Sequence, residues 1–184
     1  METQLRAQSL SLTEALVYFF LGFAFLILET TAWTWVDPDY CRPNFILILI
    51  VYFGLAVPII PGSILSVLFG LLTDVATGGP LAMFTLNYLA IFGVTIFMRQ
   101  KLDPAASLYQ ILVVLFLAAL SQVMIWGFLS LYGWPFRLIL EASSAHYFIT
   151  QAVSVLLTAL LSPLFFRFFE RIRSSADQRT GETA

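Results

Sequence analysis

Long apolar runs broken by short polar punctuation set the pattern of this chain. Residues 15–28, 45–73, 81–98, 105–136 and 142–166 carry no Asp, Glu, Lys or Arg. Several of these runs exceed the length of about 18 to 20 residues that a helix needs to cross a bilayer. A barrel strand would alternate apolar and polar residues, and these runs do not. The pattern therefore predicts an all-α polytopic membrane protein.

The most informative break lies in residues 42–81. Two apolar runs, 45–57 and 64–72, flank Pro58, Pro61 and Gly62, and the second leads into Asp74, Gly78, Gly79 and Pro80. As one helix, residues 44–76 would be roughly 50 Å long at about 1.5 Å per residue, against a hydrocarbon core about 30 Å thick. Two prolines and a glycine in the middle predict a turn at 58–62 and a transmembrane hairpin. Six helices follow: 13–35, 44–58, 62–76, 81–98, 105–132 and 145–169. The second and third, each about 22 Å long by helical rise, are expected to thin the membrane locally or to pack against longer neighbours.

Composition strengthens the class. The 184 residues allow one domain and are 60% hydrophobic, 16% aromatic and only 11% charged, where soluble domains carry about 25% charged residues. Mean hydropathy is +0.90. A net charge of −2 gives no reason to expect nucleic-acid binding. Cys41 is the single cysteine, so it forms no internal disulfide. The first apolar run is long and only Arg6 precedes it as a positive charge, which argues against a cleaved signal peptide.

Charge placement orients the bundle. With six spans and the N-terminus inside, Arg6, Arg99, Lys101, Arg167, Arg171, Arg173 and Arg179 are cytoplasmic, and only Arg42 and Arg137 lie outside. Seven against two, of 9 basic residues, is a positive-inside bias. Fusing the hairpin into one span would put the Arg167–Arg173 cluster and Arg99 with Lys101 outside. Trp33, Trp35, Tyr40, Tyr132 and Trp134 are expected at the outer interface. The chain then divides into a cytoplasmic segment 1–12, a six-helix transmembrane domain 13–169 and a cytoplasmic polar tail 170–184, expected to be disordered after Ser174.

Few side chains suggest chemistry. Glu29 lies in the first apolar run, where an acid is by default a functional candidate. Its closeness to Trp33 favours a structural or snorkelling role. Asp74 reads as an acceptor for the turn that follows it, as a partner of Arg42 or Arg137, or as a ligand group. A lone acid is a poor site for Mg²⁺ or Ca²⁺, which take several oxygens. Gly62, Ser66, Gly70, Asp74 and Gly78 recur every fourth residue and form a small-residue stripe that suits close helix packing. Leucine at Gly70 is expected to disrupt that packing and alanine to be milder than leucine. Ser154, Thr158 and Ser162 repeat the pattern, one turn after Gln151. His146 follows Ser143 and Ser144 at the start of the last helix, but no third group completes a catalytic triad. Asn87, Gln122 and Gln151 suit hydrogen bonds between helices. No catalytic, cofactor or metal motif is present.

Arg42-Pro43-Asn44, followed by Gly70-Leu-Leu-Thr-Asp74-Val-Ala-Thr-Gly78-Gly79-Pro80-Leu81, resembles the rod shape-determining MreD family. A glycine often follows that leucine in the family, and Ala82 stands here, which predicts a different approach of the fourth helix to a neighbour. The resemblance implies a fold like that of the substrate-binding subunits of energy-coupling-factor vitamin transporters. It also implies a noncatalytic subunit of the bacterial elongation machinery, in the inner membrane with both termini cytoplasmic. Its partners would be the transmembrane helix of MreC, with MreB, RodA and its transpeptidase alongside, and no cofactor. Self-association is left open. The alternative function is a solute-binding subunit of a vitamin-type transporter.

Overall fold

The computed structural model describes residues 12–31, 42–78, 82–99, 107–131 and 145–181. They form six helices: α1 Leu12–Thr31, α2 Phe45–Ala56, α3 Ile59–Thr77, α4 Met83–Arg99, α5 Ser107–Leu131 and α6 Ala145–Gly181. No strand occurs among the described residues. Four stretches are long and apolar enough to cross a membrane: Glu14–Thr31, Ile59–Thr77, Gln110–Leu131 and Phe148–Ile172. α2 and α4 are shorter apolar helices. The chain is a helical membrane protein.

α2 has no polar face, and a helix apolar all round has to be enclosed. Every residue from Ile46 to Gly54 is buried, with α1, α3, α4 and α6 packed around it. So this short helix packs against longer neighbours. At its far end Tyr52 meets Phe166 and Phe169 of α6, with ring centroids 5.9 and 4.9 Å away. Phe25 of α1 and Phe165 of α6 meet edge to face at 5.3 Å.

The hairpin turn is tighter than its prolines suggest. α2 ends at Ala56 and α3 begins at Ile59, so Val57 and Pro58 alone connect them. Pro61 and Gly62 lie inside the first turn of α3, where a missing N–H costs nothing because the first amides of a helix have no intrahelical acceptor. α3 is therefore 19 residues long and not a short helix. Arg99, at the end of α4, donates from Nη1 to the Val57 carbonyl at 3.3 Å. A cation at the C-terminal end of α2 suits both its free carbonyls and its dipole.

α6 also departs from expectation by running on to Gly181. Extending a helix already held by packing needs no new nucleus, and Ala176, Gln178 and Arg179 are adequate helix formers. Pro163 sits inside α6 and removes the amide that would reach the Ala159 carbonyl. The Ser162 hydroxyl donates to that carbonyl instead, at 2.7 Å. The aromatic residues expected at the outer interface lie outside the described residues.

Candidate functional site

Hydrogen-bonding groups in this bundle concentrate where α2 and α4 begin. A helix start leaves amides without intrahelical partners, and in an apolar bundle each orphan is costly. α2 solves this locally. Asn44 is its N-cap, and its side-chain oxygen accepts from Leu47 N at 2.7 Å. The Glu29 carboxylate of α1 lies near the neighbouring Ile46 amide. α6 holds the entry to α2: Thr158 Oγ1 accepts from Asn44 N at 3.0 Å, and the Ser154 hydroxyl donates to the Arg42 carbonyl. Pro43 is buried beside this entry, while Arg42 itself is exposed.

α4 has no local solution. Ala82 precedes its first residue, and Leu86 N already bonds the Ala82 carbonyl at 3.0 Å. An alanine side chain offers no acceptor. Asp74, from α3, supplies one. Its Oδ1 accepts from Phe84 N at 2.8 Å, and its Oδ2 accepts from Thr85 N at 3.2 Å and Thr85 Oγ1 at 2.6 Å. Asp74 is only 4% exposed. Its oxygens thus serve the start of α4, and a negative charge there also suits the α4 dipole. Gly78 ends α3 in the left-handed region, φ 62°, with its amide bonded to the Asp74 carbonyl at 3.2 Å. Gly79 and Arg137 lie outside the described residues.

Close approach makes this capping possible. A Cβ on Gly70 would stand 2.4 Å from the Thr85 Cα. One on Gly62 would stand 2.8 Å from the Phe92 ring, and one on Gly54 2.6 Å from Thr95. Ser66, between the two glycines of α3, is fully buried and donates to the Gly62 carbonyl at 2.8 Å. The stripe on α3 therefore faces α4 of the same chain. Even alanine at Gly70, expected to be milder than leucine, collides with the Thr85 backbone.

Tyr88 joins the two helix starts. It is 1% exposed, and its hydroxyl lies against the Asn44 and Thr73 side chains, near the carboxylates of Glu29 and Asp74. One turn before Tyr88 stands Thr85, and beside it Asn87, which donates to Ser121 Oγ of α5 at 2.7 Å. Thr85, Tyr88 and the capping role of Arg99 had no local signal in the sequence. Asn44 did, as an N-cap residue directly before an apolar run. The His146 side chain lies outside what is described. Among the described residues no three His, Cys, Asp or Glu side chains gather as metal ligands. What the arrangement does chemically is hold helix ends in fixed register. Comparison with known proteins adds no identity, because no family model, curated protein or solved structure matches the chain.

Proposed function

We propose that this chain is a noncatalytic scaffold of the MreD type, spanning the bacterial inner membrane six times with both termini in the cytoplasm. One observation carries the reading. Three of the residues that carry the resemblance, Gly70, Asp74 and Gly78, are spent where α3 ends and meets α4. Residues kept for a joint fix the shape of a bundle and leave its outer faces as the working surface. Such a surface suits a partner's transmembrane helix, because association in lipid rests on complementary packing. The partner in this reading is the MreC transmembrane helix, with MreB, RodA and its transpeptidase assembled alongside. Since the α3 stripe faces α4, the docking face is another part of the bundle.

Purification from native membranes with an affinity tag tests the reading. Recovery of an MreC-like partner, and rounding of rod-shaped cells on depletion, are the expected results. Co-purification of an ATPase module, with loss of uptake of one vitamin and unchanged cell shape, would replace the scaffold with the solute-binding transporter subunit.

A further inference from the structure

The seam between α1 and α6 opens into a groove of about 610 Å³. Leu21 and Phe25 of α1 and Leu164 and Phe168 of α6 form its apolar walls, and Arg167 and Arg171 also line it. Leu164 is 66% and Phe168 47% exposed, and both arginines are exposed. Residues four apart share one face of a helix, separated by about one 5.4 Å turn. Among the described residues, those that line the groove include no acid.

Depth gives the groove a direction. α6 meets the start of α2 through Ser154 and Thr158 and the far half of α2 through Phe166 and Phe169. Arg167 and Arg171 therefore stand toward the hairpin-turn end of the bundle, the end where Arg99 meets Val57. The groove has basic groups at that end and apolar side chains leading toward the middle of the membrane. A pair of guanidinium groups matches a phosphate in charge and geometry. Basic sites between helices at a membrane face recruit acidic lipid headgroups.

The geometry points to a binding site for one anionic phospholipid, its phosphate on Arg167 and Arg171 and an acyl chain laid along Leu21, Phe25, Leu164 and Phe168. This site is independent of the scaffold reading. Simple snorkelling of two arginines toward water would show no preference among headgroups.

Native mass spectrometry of the full chain in mild detergent tests the assignment, using phosphatidylglycerol and phosphatidylcholine with identical acyl chains. Phosphatidylglycerol should be retained at least tenfold better. The Arg167→Gln, Arg171→Gln double variant should bring it down to the phosphatidylcholine level, on the electrostatic worth of two basic side chains near an acidic headgroup. Leu164→Trp, which fills the groove and keeps both charges, should weaken retention of phosphatidylglycerol, while Arg42→Gln should not. Leu164 and both arginines are exposed, so these variants should remain folded, which thermal unfolding checks. A photoreactive side chain in place of Phe168 should yield a lipid-sized adduct in membranes. Equal retention of the two lipids, full retention by the double variant, or a protein-sized adduct at Phe168 would overturn the site.

Discussion

α2 and α4 begin at the same end of the bundle, and they satisfy their first amides in opposite ways. α2 carries its own cap, Asn44, bonded to Leu47 N at 2.7 Å. Glu29 and Thr158 support it from α1 and α6. α4 begins after an alanine held at φ 69° and takes its cap from Asp74 on α3. The difference is one of dependence. The start of α2 is coded by adjacent residues, so its helix can form before its neighbours arrive. The start of α4 is complete only when α3 and α4 are docked, so capping and docking become one event. This couples the hairpin to the rest of the bundle at the position where the chain would otherwise be weakest.

Removing the imported cap should have the largest effect. Asp74→Ala deletes three hydrogen bonds to a carboxylate and leaves two amides of α4 without an acceptor, a loss of about 3 kcal/mol or more. Thermal unfolding in detergent should show a large drop, with hydrogen exchange rising first at Phe84 and Thr85. Asp74→Asn should lie between, because an amide offers one acceptor oxygen where two are used. Wild-type stability in Asp74→Ala would break the comparison outright.

Next is the contact that brings the imported cap within reach. Gly70→Ala places a methyl group against the Thr85 backbone and should cost about 1 to 3 kcal/mol. Its effect should be strongly non-additive with Asp74→Ala, since both act through the same pair of helices. Additive losses in the double mutant would mean that packing and capping are separate.

The local cap should matter less. Asn44→Ala should cost about 1 kcal/mol, the usual worth of an N-cap, because Glu29 remains beside the Ile46 amide. Unfolding midpoints for Asn44→Ala and Asp74→Ala measured side by side set the ratio. A larger loss at Asn44 would reverse the ranking of the two starts.

The smallest effect has the opposite sign. Ala82 sits in the left-handed region, φ 69°, which costs an L-residue about 1 kcal/mol relative to glycine. Ala82→Gly should therefore raise stability by up to about 1 kcal/mol, less whatever the freer backbone gives the unfolded chain. The backbone angle gives Ala82 an energetic cost, where the sequence suggested only a changed helix approach. A lower melting temperature for Ala82→Gly would remove the strain argument.

Apolar run length and two prolines were enough to read a helical membrane protein with a break between α2 and α3, because a bilayer imposes its thickness on any spanning segment. The recurrence of Gly62, Ser66, Gly70 and Asp74 was equally visible, since helical periodicity is a local property. The stripe's partner was not visible. That α3 turns these residues to Thr85 and Phe92 of its own chain, and not to another protein, depends on how α4 packs. The turn is shorter than the sequence suggests, because proline breaks a helix only where an amide is needed, and Pro61 stands where none is. Asp74 shows the limit most clearly. Its type and position near a helix end were legible, but the amides it serves are 10 and 11 residues away. The sequence by itself determined which segments are helices and that they belong in a membrane, because burial of apolar side chains and backbone hydrogen bonding are set residue by residue. Only the tertiary structure decided what each polar group is for, because a hydrogen bond between helices requires both helices to be in place.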